Sequence, residues 1–195
     1  MNLQAFPPDV QSRFERVAFR NSLSTVELIA RNRALSALTW EVIKIFELNF
    51  RHFLNKELSQ LAKNANWWLD PEVIHKEHLS ASSSNDDKIR FLSLGFLSLL
   101  LSDRYHKKLW VPYLQGALSG WELPRRELYQ DLRLLVRIRN RIAHHEIIYN
   151  YPLVELTLFA TKLLLSINPM AAKEIEAMKF ADRIRAIKLG SGGGI

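Results

Sequence analysis

The sequence predicts an all-α fold, and three observations carry that expectation. No stretch alternates apolar and polar residues at period two, and no Asn-Gly or Asp-Gly hairpin turn occurs. Apolar residues recur instead at three- and four-residue spacing along much of the chain. Between Ser24 and Ala62 no glycine or proline interrupts that pattern.

Pro7-Pro8 opens a short helix over 8–20, with Val10, Phe14 and Val17 on one side. Ser24-Thr25-Val26-Glu27 reads as a capping box, a serine with glutamate three positions later. The helix it starts runs to about Ala62 and carries Leu35, Leu38, Val42, Ile45, Phe46, Phe50, Phe53 and Leu54 at helical spacing. A helix this long in a small domain is expected to be its spine. Glu47 and Arg51, four apart in the favourable order, read first as a surface ion pair, with Asn49 and His52 beside them. Trp67-Trp68 is expected to close one end of the core rather than stack on bases. Asp70-Pro71 starts another short helix, and Ser80–Asp87 is a low-complexity loop.

The next helix is expected over 87–101, capped by Asn85 or Asp86 and apolar almost all round, hence buried or at a subunit interface. Gly95 in its middle implies close approach of another helix. Trp110 is expected in the core. His106, Lys107 and Lys108 form a basic patch, read as solvated or as touching RNA phosphates. Residues 116–120 read as a loop. Leu123-Pro124 starts a helix that carries on through His144 and His145. Pro152 starts another, rich in leucine, and Asn168-Pro169 caps a last one ending near Leu189. The expected organisation is one helical domain over 1–189 followed by a flexible Gly/Ser tail, 190–195.

Composition narrows the chemistry. The 195 residues are enough for one domain with a real core, and 48% of them are hydrophobic. With no cysteine there is no disulfide framework, thiolate metal site or thiol nucleophile, which fits a reducing cytoplasm. No signal peptide and no membrane span is expected: the greasiest run, Phe91–Leu101, is short and dotted with serine. A net charge of +7 and a pI near 9.8 favour a polyanionic partner.

The densest chemistry lies in Val136–His145, which holds Arg137, Arg139, Asn140, Arg141, His144 and His145. Arginine is a fixed fork of donors that matches phosphate oxygens, and histidine exchanges its proton near neutral pH. On an ideal wheel of roughly 100° per residue, Arg137, Asn140 and His144 share a face. His145 falls with Leu134, Leu135, Ile138 and Ile142 on the apolar face, where a buried histidine is the plainer expectation. Arg139 lies about 140° from His144, so the two flank a groove rather than touch.

The run Arg139-Asn140-Arg141-Ile142-Ala143-His144 resembles the signature of the HEPN superfamily, many of whose members are metal-independent RNases. With His145-Glu146 it looks like the version in abortive-infection (Abi-like) proteins. Phe46-Glu47-Leu48-Asn49-Phe50-Arg51-His52 is similar to a second Abi-like stretch, with Phe-Arg-His where that pattern has Leu-Arg-Asn. Phe91–Leu97, Tyr105 and Leu109-Trp110-Val111-Pro112 partly match a third.

The resemblance implies a HEPN-like helical bundle and a cytoplasmic RNase acting as an abortive-infection effector or toxin, without cofactor or metal. It implies Glu47 and Arg51 as support for the site, and Tyr149 near the substrate. Apposed copies of the helix in a two-fold homodimer would bring two histidines and two arginines into one cleft. There His144 would serve as base and acid, Arg139 would face the phosphorane and Asn140 would orient the imidazole. Cleavage by 2′-hydroxyl attack yields a 2′,3′-cyclic phosphate and a 5′-hydroxyl. Which of His144 and His145 is the base stays open. Arg137 and Arg141 are expected to steer RNA, and Glu146 to pair with Arg141 or Arg139. The competing expectations are a non-catalytic RNA-binding dimer and a helical scaffold that docks an antitoxin, RNA or protein.

Overall fold

The long Gly- and Pro-free run is one continuous helix, α2, over Thr25–Ser59. The Ser24 hydroxyl accepts the Glu27 backbone N–H at 3.2 Å, satisfying one of the first turn's free donors. Leu28, Leu35, Val42, Phe46, Phe50 and Leu54 are removed from solvent along its length. The computed structural model describes residues 6–60, 67 and 92–190, and every regular element among them is helical.

The other helices are α1 (Pro8–Arg20), α3 (Leu94–Leu99), α4 (Arg125–Ala143), α5 (Leu153–Ile167), α6 (Pro169–Ala177) and α7 (Phe180–Leu189). All of them touch α2, which is therefore the spine. The core between them is aromatic at its centre. Phe46 and Phe50 stack at 5.4 Å, and Phe159 of α5 reaches Phe46 and meets Trp121 edge-on. Trp67 is fully buried and donates its indole N–H to Asn55 Oδ1 at 3.0 Å, so it fills the core and is not a stacking surface.

Local sequence rules hold where the chain is near its own caps. α1 has the expected bounds and buries Phe14. Asn168 caps α6 by accepting the Ala171 N–H at 3.4 Å, and its own amide donates to Asn49 Oδ1 at 2.7 Å. That contact gives Asn49 a structural task, docking α6 on α2.

Four expectations are corrected. Of the helix placed over 87–101, residues 87–91 lie outside the described residues, and within 92–101 the α-helix is Leu94–Leu99, capped by Ser93, which accepts the Phe96 N–H at 3.1 Å. Gly95 is then the second residue of a helix, and Val136 of α4 would lie 3.7 Å from an added Cβ. The single last helix is two, α6 and α7, broken at Lys179 in a left-handed conformation (φ 49°). The break lets Phe180 and Ile184 turn into the core. Gly190 belongs to α7 as its left-handed cap (φ 77°), where an added Cβ would collide with the Arg31 guanidinium. Gly116 and Ala117, the first two residues of the stretch read as a loop, belong to one more helical turn, Gln115–Ala117. Trp68, the helix at Asp70-Pro71, the loop at 80–87 and residues 191–195 lie outside the described residues.

Between α3 and α4 the chain passes through a 3-10 turn, Asp103–Tyr105, into a π-helical stretch, His106–Leu114. Tyr105 of the turn and Leu109, Trp110 and Leu114 of the π-helical stretch are buried. Pro112 sits inside this stretch, where the wider helical turn tolerates a residue without an N–H. No described helix is long and apolar enough to cross a membrane.

Candidate functional site

Two histidines stand where α4 ends, and the way it ends sets their directions. The helix stops at Ala143, short of the expected run through His145. The Glu146 N–H donates to Arg141 O at 2.8 Å and the His145 N–H to Ile142 O at 3.0 Å. This pair of bonds closes a helix around one left-handed residue, usually glycine. Here that residue is His145, with φ 57°.

The termination comes from α2. Asn32 is buried, accepts the Ile148 N–H at 2.8 Å, and directs its amide at Glu146 O at 3.5 Å. Ile148 itself is fully buried. Burying Ile148 on the spine turns the backbone out of the helix at His144. The placement of His145 on the apolar face is thereby overturned: both histidines are exposed. Asn32 escaped the sequence reading, although a polar residue between Leu28, Ile29 and Leu35 on an apolar face was its visible signal.

His144 lines two clefts. One, of about 470 Å³, has Arg133, Arg137, Asn140, Arg141 and Glu146 around it. This is the face on which the wheel put Arg137, Asn140 and His144. The other, of about 460 Å³, lies between α1 and the turn after α4. It is lined by both histidines, by Arg141, and by Arg13, Arg16 and Arg20 of α1, with Glu146 its one acidic residue. The α1 arginines were missed; their three- and four-residue spacing was the available signal. Such a concentration of guanidinium groups suits phosphate oxygens.

Arg141 is held in place rather than free to swing. Its Nε donates to Ile147 O at 3.1 Å, it pairs with Glu146 at 3.0 Å, and it lies over the Tyr151 ring at 5.3 Å. Glu146 thus pairs with Arg141, one of its two expected partners. Tyr151 lines the α1 cleft, whereas Tyr149 does not. Tyr149 is buried, donates its hydroxyl to Lys188 O at 3.3 Å and lies under the Lys188 ammonium at 5.9 Å. The expected substrate contact at Tyr149 is corrected to a core role that docks the end of α7. Burial pushes Lys188 below the ordinary lysine range, and Glu155 opposes that shift. Asp131 of α4 is raised above the usual carboxylate range, first by burial and then by Glu127.

Arg139 points to the opposite side of α4. Its guanidinium lies 5.6 Å from the centre of the Trp40 ring, and its Nε is 4.0 Å from Glu47. Glu47 also accepts from Arg51 at 2.6 Å, and Arg51 donates on to Leu92 O at 3.2 Å. Two of the three stretches that carry the resemblance therefore meet, through a partly buried chain Arg51–Glu47–Arg139 joining α2 to α4. Within one chain the structure does not bring Arg139 and His144 together.

Beside Trp40 runs a third cleft, of about 580 Å³, mostly apolar, with Phe6, Phe14, Ile29 and Ile142 in its walls and His145 at its edge. Lys107 and Lys108 line none of these three clefts. His106, in the same patch, has a buried Nδ1 without a hydrogen-bond partner. Among the described residues no group of three or more histidines and carboxylates is placed to hold a metal ion. Comparison with protein-family models, with curated proteins and with solved structures gives no match for this chain.

Proposed function

We propose that this chain is a metal-independent endoribonuclease of HEPN type, working as a homodimer in abortive infection or as a toxin. The observation that carries the reading is the placement of His144: exposed, at the end of α4, on two clefts lined by arginines of α1 and α4. His144 removes the proton from the RNA 2′-hydroxyl in one copy and returns one to the leaving 5′-oxygen from the other. Arg137 and Arg141 supply positive charge beside the phosphorane, and Asn140 orients the imidazole from one turn below. Arg139, engaged by Trp40 and Glu47, acts as a positioning residue. The products are a 2′,3′-cyclic phosphate and a 5′-hydroxyl.

A second reading, an RNA-binding helical dimer without turnover, is favoured by one observation: Arg139 does not share a cleft with His144. His144→Ala separates the two. Purified protein is incubated with single-stranded RNA and tRNA in EDTA, beside His144→Ala and His145→Ala. General acid–base catalysis contributes about 10²–10⁴-fold, so His144→Ala is expected to lose that much cleavage while RNA affinity stays within a few-fold. Loss only in His145→Ala moves the base by one residue. Tight binding with no cleavage by the intact protein, after bound RNA is stripped, decides for the binding module. An antitoxin docked on the α1 cleft, RNA or acidic protein, would block the same arginines.

A further inference from the structure

The arginine cleft and the apolar cleft are not separate features. Both are lined by Phe14 and by His145, so the two share a wall at the end of α4. On one side of that wall stand Arg16, Arg20 and Arg141; on the other stand Phe6, Ile29 and Trp40. The left-handed backbone at His145 is what sets its ring at this boundary. A ligand spanning the wall meets arginines on one side and a mostly apolar lining on the other, so an anion joined to an apolar group fits both. A nucleotide joins both in one unit, a phosphate and a flat base, and a bare phosphate does not.

We infer that the Trp40 cleft is a base-binding subsite, receiving one unstacked base of an RNA strand whose phosphate lies in the arginine cleft. The inference rests on the nuclease reading for its substrate and adds that the substrate is single-stranded at this point. The cleft's volume, about 580 Å³, is in the range of small-molecule sites. Trp40 is only partly buried, and the Arg139 guanidinium over its ring fixes the indole. Phe6 and Phe14 stand at 5.7 Å and 35° to one another, which adds a second aromatic surface. Asn32 does not read the base, because its amide is committed to Ile148 and Glu146. Stacking tolerates any base, so the subsite selects unpaired strands and not a sequence.

The test uses the whole 195-residue chain in EDTA with a short 2′-O-methyl RNA that cannot be cut, and the same strand carrying one abasic position at its centre. Base–aromatic stacking is worth roughly 5- to 150-fold in affinity. The intact protein is expected to prefer the base-bearing strand by a factor in that range. Trp40→Ala is expected to abolish the preference and Trp40→Phe to keep most of it, with the salt dependence of binding unchanged. Ala37→Leu, which fills the same cleft from its exposed rim and leaves Trp40 in place, is expected to reduce the preference should Trp40→Ala fail to fold. Equal affinity of the intact protein for both strands overturns the subsite and leaves the nuclease reading standing. A Trp40→Ala variant that weakens both strands equally and changes its sedimentation also overturns it, making the cleft a contact between copies of the chain. Failure of the intact protein to bind either strand overturns both readings.

Discussion

His145 occupies a backbone conformation that glycine normally fills. Its φ of 57° closes α4, a position shared among the described non-glycine residues only by Ser22 and Lys179. A side chain there costs about 1–2 kcal/mol, and such strain often collects where function needs it. Replacing His145 by glycine is therefore expected to stabilise the fold by about 0.5–1 kcal/mol. Thermal unfolding would show this as a midpoint higher by about 1–4 °C. An unchanged or lower midpoint would mean that the imidazole's own contacts offset the strain. The residue types at the site were legible in the sequence, as was the sharing of a face by Arg137, Asn140 and His144. The exposure of His145 was not, because helix arithmetic extends a helix until something local stops it, and nothing local does.

What stops α4 is another element. Asn32, on the buried side of α2, accepts the Ile148 N–H, a bond spanning more than a hundred residues of sequence. Asn32→Ala would leave that buried donor without its partner, at a cost of about 1–3 kcal/mol. The urea midpoint is expected to fall accordingly, and on the proposed function RNA cleavage falls further, because the turn bearing His144 loosens. Cleavage unaffected by a clear loss of stability would separate Asn32 from the site. At this scale the sequence was informative wherever an element carries its own signal: the proline start of α1, the Ser24 box, the Asn168 cap. It was silent on the break at Lys179 and on the π-helical turn around Pro112. Both come from neighbours that draw particular side chains inward, Phe180 and Ile184 in the first case and Leu109 and Trp110 in the second.

Across the whole molecule the excess of positive charge acquires a location. Arg13, Arg16 and Arg20 come from α1 and Arg141 from α4, more than a hundred positions later, and one cleft gathers them. Each phosphate contact releases counterions and contributes close to one unit to the slope of log affinity against log salt for duplexes, about 0.7 for single strands. On the proposed function, the double variant Arg16→Ala/Arg20→Ala is thus expected to lower that slope by about 1–2 and to weaken RNA binding with little dependence on sequence. An unaltered slope would remove α1 from the interface.

The sequence by itself determined the helical class, the spine, most helix starts and the set of basic and imidazole residues. Those follow from periodicity and caps, which act within a turn or two of the chain. The tertiary structure alone decided which of those residues share a cleft. It set His144 beside the α1 arginines, drew Arg139 to Glu47 and Trp40, buried Tyr149, and left His145 between the polar and apolar clefts. Each of these outcomes depends on burying one helix against another, an interaction between residues far apart in sequence that no local pattern records.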